Sequence, residues 1–497
     1  MDDTSVLAVE FDAYAIGAFV SYLLLLMAIG IYSSRFSSKG ISEYFIGGRK
    51  MNRFVVALSA VVSGRSAWLL LGVTGMAYAR GPSAVWAVAG YIVVEIFLFL
   101  YYAKRLRIFT EKRNCITIPD FFAERFGDHD GRLRITIVAI FLVFMIGYIS
   151  AQFVAGGKAF ASGFGMEMNN GILVTALIVV AYTIVGGFLA VSLTDMFQAI
   201  LMILALVILP IIAILNAGGL IELLQQLSAM DAAFVDPFAI SVGAAIGFMG
   251  IGLGSPGNPH ILARYMSIDD SAQLRVAAII GTVWNVLMAW GAVFIGLAGR
   301  VYFPEVSMLP AGDTENLFPV LAQEHLHPVL FGVVLASIFA AIMSTADSQL
   351  LVAASSVVRD VYEKIVRKGE HVSQRTLVLY SRIVVFLLVV LSLIVGFLAE
   401  DLVFWLVLFA WAGLGASIGP TSILALYWKG TTRAGIFAGL ITGTVVTIGW
   451  YYMPGMTDIF YELIPGFIAA FLATWLVSLF TEKNPDTEEA FRDMFPD

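Results

Sequence analysis

Cysteine is nearly missing from this chain. Cys115 stands alone, which excludes an internal disulfide and any cysteine-rich metal cluster. Histidine is scarce as well: His129, His260, His325, His327 and His371 are scattered, and none falls into a HExxH or similar ligand spacing. Charge is thin, at 13% of residues, against about 25% in soluble domains. What remains is apolar, with 60% hydrophobic residues and a mean hydropathy of +0.89. A soluble protein cannot bury that much apolar surface and still cover itself with polar groups, so the bilayer is the natural solvent. The polar residues inside the apolar runs offer no Ser/His/Asp, Cys/His or metal-ligand set, which argues against a membrane enzyme. Selectivity rings and subunit repetition, the marks of a channel, are not found either. The net charge of −7 says little about partners, because the signs are sorted by membrane side. The expected partners are the lipid bilayer and a small solute, with no nucleic acid.

Apolar runs long enough to cross a bilayer fall at about 13–33, 54–78, 84–102, 136–164, 171–191, 195–216, 238–257, 276–299, 328–358, 378–399, 402–427, 434–453 and 460–480. The fold expected is therefore an all-α integral membrane protein of about thirteen transmembrane helices. Basic residues test the count. One set of alternating loops carries nearly all of them, including Arg35, Arg49, Lys104, Arg113, Arg134, Arg264, Arg359, Arg382, Arg433 and Lys483. The other set holds only Arg80, Arg300 and Lys158, and Arg65 lies within a span. Losing one helix would scramble this segregation. The positive-inside rule then puts the C-terminus in the cytoplasm and the N-terminus outside, for a multi-pass protein of the cell membrane. Residues 1–12 are acidic with no basic region before the first run, so that run reads as a retained helix. The segment 481–497 is short, polar and acidic, and is expected to be a solvated end without room for a signalling domain.

Irregular backbone at membrane depth implies a protein-lined cavity. The second span carries the small residues Ser59, Ser63, Gly64 and Ser66 at its middle. The seventh carries Gly247, Gly250, Gly252, Gly254, Ser255, Pro256 and Gly257, then Asn258 and Pro259. These spans open two consecutive five-helix groups, 2–6 and 7–11. Interrupted helices in corresponding positions of two halves point to a transport site built on inverted repeats.

The segment 57–72 (ALSAVVSGRSAWLLLG) resembles the second helix of the sodium/solute symporter family, with most similarity to its sodium/proline members. The resemblance continues through 44–49 (YFIGGR), 183–195 (TIVGGFLAVSLTD), 259–266 (PHILARYM), 340–345 (AAIMST), 348–351 (SQLL) and 411–416 (WAGLGA). It runs in order along nearly the whole chain, read as a single transporter domain over 1–497. It implies a leucine-transporter-type inverted-repeat core of helices 2–11, about 54–427, with helix 1 and helices 12–13 peripheral. It also implies a sodium ion held where the second helix unwinds against the ninth. The ligands would be carbonyls of Val62, Arg65 and Ala341 and hydroxyls of Ser344 and Thr345. Neutral oxygens of this kind suit a hard monovalent cation without a buried charge. Trp68 and Tyr148 match aromatics beside the solute, and Ser66 is a hydrogen-bonding neighbour. Asp195 matches a family acid at the cytoplasmic start of the sixth helix. Asp347 is a second acid near the ion, either part of another cation site or a partner of Arg65.

Four positions depart from the proline pattern. Gly64 stands where those members carry an aspartate, Arg65 where they carry an apolar residue, and Ile251 and Ser255 where they carry two solute-side aromatics. An arginine at this depth must face a cavity or a partner, and Glu95 in the third span is a candidate counter-charge beside Asp347. Arg65 is thus structural, or binds an anionic solute group, or replaces the sodium. The function expected is sodium-coupled symport of a small organic solute by alternating access, with proline the default. The alternative is sodium-independent transport, proton-coupled or by exchange, of an amino acid, osmolyte or carboxylate.

Overall fold

The computed structural model describes residues 12–37, 39–368, 370, 372–398, 402–482 and 485–495. Residues 1–11, His371 and Lys483, used above, lie outside them. Among the described residues, ten helices are long and apolar enough to cross a membrane. Two of them are double. The stretch Arg53–Lys112 holds the second span (53–80) and the third (85–112), parted by a short 3-10 turn, Gly81–Ala84. The 49-residue helix Met168–Asn216 breaks at Gly187 (φ 61°, ψ −165°), which parts the fifth span (168–186) from the sixth (188–216). The broken seventh span (242–267) completes thirteen spans.

Contacts at both ends show that the chain reverses at Gly187. Met168 meets Gly157 near the end of the fourth span, Arg132–Phe164, and Ala213 accepts from Tyr302 at the end of the eighth, Leu274–Tyr302. Those two ends share a face, because Lys158 bonds Asp313 in the loop after the eighth span at 2.7 Å. Gly186 lies instead against Gly30, far along the first span, on the opposite face. Glycine takes a left-handed φ without steric cost, so it can turn the chain in a single residue. This places Asp195 two turns inside the sixth helix and fully buried, rather than at its start.

The second span starts at Asn52, whose side chain accepts from the amides of Phe54 and Val55. It breaks at Ser66 (φ 52°, ψ −172°), a conformation costing a non-glycine residue about 1–3 kcal/mol that its surroundings must over-determine. Gln152 of the fourth span does so, accepting from the Ala67 amide at 3.1 Å, while the Trp68 amide donates to Ser66 Oγ at 3.1 Å. The seventh span is helical over Val242–Gly250, narrows to a 3-10 stretch over Ile251–Gly257, extends at Asn258 and restarts as Pro259–Ser267. Proline at the first helical position suits the restart, because that amide has no partner there. The ninth span, Pro328–Ser355, passes the break in the second and continues to Val366. The first span packs on the fifth, sixth and ninth; the twelfth (Arg433–Tyr452) and thirteenth (Leu463–Phe480) pack on each other and on the eleventh, Val403–Tyr427.

The basic face is sewn together by buried charge. Asp120 accepts from Arg134 at 2.5 Å and Arg359 at 3.2 Å, and Arg134 also reaches Asp360 at 2.5 Å. Burial alone would raise the Asp120 carboxyl, but the Arg359 and Arg134 guanidiniums outweigh it and hold it below its ordinary range. The C-terminal segment is not a solvated end. It forms the helix Pro485–Arg492, with Ala490 and Met494 buried, Arg113 on Asp493 at 2.6 Å, and Arg125 donating to the Thr487 carbonyl at 2.7 Å. Its acidic residues fit a basic dock, and its few apolar residues share one face.

Candidate functional site

The break in the second span brings neutral oxygens together. Ser344 Oγ lies 3.1 Å from the Ala341 carbonyl and 3.4 Å from that of Val62. Thr345 Oγ1 donates to the Ser63 carbonyl at 3.0 Å, next to Val62 rather than to Arg65. The Arg65 carbonyl accepts the Trp68 amide. Val62, Ala341 and Ser344 thus converge, with Thr345 beside them. All are buried.

One turn toward the basic face lies a charged cluster that the sequence only partly revealed. Asp195 Oδ2 accepts from Ser59 at 2.5 Å, Arg264 at 3.1 Å and Ser63 at 3.2 Å, while its Oδ1 has no partner. Arg264 also donates to Ser348, which lies 3.1 Å from Ser63. Asp347 accepts from Tyr182 Oη and from Ser348 Oγ. It is therefore not the partner of Arg65. The Arg264 side chain, inside the PHILARYM segment, was the missed centre. Its signal was an arginine one turn after a helix restart, easily assigned to the neighbouring loop.

Arg65 turns away from these oxygens. Its Nη2 bonds Glu95 Oε2 at 2.8 Å and its Nε bonds Asn285 Oδ1 at 2.7 Å, while the Asn285 amide also donates to Glu95. The guanidinium carbon sits 3.4 Å from the centre of the Tyr91 ring. This network ties the second, third and eighth spans together. Asn285 escaped the sequence reading because one asparagine in an apolar run carries no pattern.

Between the broken helices is a small cavity of about 10 Å³, roughly room for one water. It is lined by Gly64, Trp68, Tyr91, Tyr148, Ile251, Val407, Leu408 and Trp411. Trp68, Tyr148 and Ile251 were expected; Tyr91 and Trp411 complete the wall. Ser66 marks the break itself, and Ser255 is buried in the 3-10 stretch without lining the cavity. Ile251 and Leu408 also line a vestibule of about 560 Å³ that holds Arg80, Trp405, Phe460 and Tyr461. The cavity is thus next to open space on the Arg80 face, with the Arg264–Asp195 cluster on the other side of the ion-type oxygens.

Known proteins agree with this architecture. The model of the sodium:solute symporter family matches residues 44–443. Sodium/proline symporters from Staphylococcus aureus strains, N315 and COL among them, are 38% identical over 477 residues, covering 93% of this chain and 92% of theirs. A sodium-coupled sialic acid symporter, solved in a substrate-bound outward-open state, superposes with a TM-score of 0.83 at 20% identity, over 95% of this chain and 99% of its own. A nucleobase-cation-symport-1 transporter in a closed conformation superposes at 0.57 with 13% identity, over 90% and 98%. At such identities these likenesses show the fold alone, the leucine-transporter type. The family and its relatives are transporters rather than enzymes, and the chain belongs to the sodium:solute symporter family.

Proposed function

We propose that this chain is a sodium-coupled symporter of a small zwitterionic solute, proline being the first candidate, working by alternating access in the cell membrane. It acts as a single transport domain whose core is spans 2–11, with the N-terminus outside and the C-terminus inside. The observation that carries the reading is the convergence of Val62 O, Ala341 O and Ser344 Oγ, with Thr345 adjacent, at the break in the second span. Such a set offers sodium several neutral oxygens in place of its water. Closing the break further would bring the Arg65 carbonyl to the same ion. Solute would enter from the vestibule, and the cavity beside Trp68 and Tyr148, with room for about one water, would widen to take it. Asp195, Arg264 and Asp347 would seal the route to the cytoplasm and part when the ion leaves. The relatives' named solute is proline, which enters as the default. Sodium-independent transport loses its main support, since the Arg65 guanidinium is bonded to Glu95 and Asn285.

The test is uptake of labelled proline into proteoliposomes, under an inward sodium gradient or with potassium in its place at constant pH. Accumulation with sodium only is the expected result. Equal accumulation of solute in potassium would overturn the coupling.

A further inference from the structure

We propose that the cavity between the broken helices selects N-alkylated ammonium zwitterions, secondary to quaternary, over primary amino acids; this rests on reading that cavity as the solute site. Four of its eight lining residues are aromatic: Trp68, Tyr91, Tyr148 and Trp411. None is charged. The rings form a continuous wall, with Tyr91 stacked on Trp411 at 5.3 Å between centroids and Tyr148 edge-on to Trp411 at 6.5 Å. One face of Tyr91 is covered by the Arg65 guanidinium, 3.4 Å from the ring centre, and its ring also stacks on Trp411, so a solute cation would meet the remaining faces of Trp68, Tyr148 and Trp411.

A primary ammonium carries three N–H donors, and in a dry cavity each needs an acceptor. Each carbonyl at hand already accepts one bond, which leaves it a single lone pair. The Gly64 carbonyl takes the Tyr91 hydroxyl at 3.3 Å, the Ile251 carbonyl takes Trp411 Nε1 at 2.8 Å, and the Arg65 carbonyl takes the Trp68 amide. No carboxylate lines the space, because Gly64 has no side chain and Glu95 is bound to Arg65. Methyl groups on nitrogen remove the donors and leave a diffuse positive charge, which suits aromatic faces.

The other end of the zwitterion has its own partners. Two buried donors at the break, Trp68 Nε1 and Gln152 Nε2, have no acceptor. A carboxylate within reach of either would satisfy it.

The experiment is calorimetric binding to the full chain in detergent with sodium, using glycine, its trimethylated form, proline, N-methylproline and N,N-dimethylproline. Expected is affinity that holds or rises with each methyl group, and trimethylglycine binding about tenfold or more above glycine, the size of a desolvated cation–π contact. Replacing Trp411 by Leu should then weaken N,N-dimethylproline about tenfold or more. Affinity that falls tenfold on N-methylation would overturn the proposal, because it shows an N–H donor in use. Uptake in parallel separates the two readings. Methyl preference in binding without sodium-driven uptake would sink the symport reading alone. Sodium-driven proline uptake with N-methylated forms excluded would sink this one alone.

Discussion

The buried pair Arg65–Glu95 makes the sharpest prediction. Both side chains are about 3% exposed and 2.8 Å apart, with Asn285 bridging them. Removing one partner of a buried pair typically costs about 3–5 kcal/mol, because the other charge is left uncompensated, whereas replacing both with apolar groups is often close to neutral. Glu95→Leu removes the carboxylate and leaves the guanidinium unneutralised. Arg65→Met leaves the carboxylate. Each should cost about 3 kcal/mol, near the lower end, since Asn285 and Tyr91 remain. The double variant Arg65→Met, Glu95→Leu should stay within about 1 kcal/mol of the parent. The coupling energy would then be several kcal/mol, well above the few tenths expected of independent sites. Unfolding by titration of mixed micelles with SDS, followed by circular dichroism, measures all three. Losses that simply add in the double variant would refute the pairing. The same protein tests transport: a structural pair predicts that the double variant keeps its sodium dependence, whereas an arginine standing in for sodium predicts that removing it creates a new one.

Three further outcomes are expected. Ser344→Ala should raise the sodium concentration for half-maximal uptake about tenfold or more, the size of losing one oxygen bonded to a charged group; an unchanged sodium curve would rule the hydroxyl out as a ligand. The Asp120 carboxyl is held below its ordinary range by Arg359 and Arg134, so its contribution is complete above the unfolded carboxylate value, near 3.9, and is lost as pH falls through the lower folded value. Thermal stability of the parent should therefore fall in acid below about pH 4, and Asp120→Asn should be less stable at neutral pH with a flatter acid limb; parallel curves would contradict this. Deleting residues 485–497 removes the buried Ala490 and Met494 and the carbonyl that Arg125 uses, a loss of about 3 kcal/mol, so an unshifted melting curve would mean that the tail adds nothing.

How much of this was legible beforehand follows from what each signal depends on. Span number came through because hydropathy and the sorting of basic residues are properties of the whole chain, and Gly187 can hide a reversal inside one helix without changing either. Both breaks were legible because clustered Gly, Ser and Pro at membrane depth have few other uses. Val62, Ala341 and Ser344 could be named together because they belong to contiguous motifs on two spans. The Asp195–Arg264 contact did not, since it joins residues 69 positions apart with nothing local to mark the pairing. Tyr91, Trp411 and Asn285 stayed hidden for the same reason: an aromatic or a single amide in an apolar run reads as packing until the opposing helix is in place. The docked tail was misread because its composition is acidic, and only the basic surface made by Arg113 and Arg125 turns that composition into an interface.

Gly64 and Arg65 looked like two separate departures from the proline pattern, and the packing makes them one. A Cβ at position 64 would lie 2.2 Å from Tyr91 Oη but 3.5 Å from the ring carbon bearing it. The hydroxyl alone therefore forbids a side chain there. Tyr91 is in turn held from behind by Arg65, whose guanidinium lies on its ring and is anchored by Glu95. An aspartate at 64 and this placement of Tyr91 exclude each other, so losing the acid and gaining the arginine belong to one rearrangement of the cavity wall. Gly64→Ala should destabilise by about 1–3 kcal/mol, as overpacking does, and should weaken solute binding by displacing Tyr91. Adding Tyr91→Phe removes the atom in conflict while keeping the ring over Arg65. The next contacts, Ile261 Cδ1 at 3.1 Å and the ring carbon at 3.5 Å, need only a small shift. The pair should recover most of the stability lost by Gly64→Ala alone. If Tyr91→Phe gives no rescue, the Tyr91 hydroxyl is not what excludes a side chain at 64, and the two departures are independent after all.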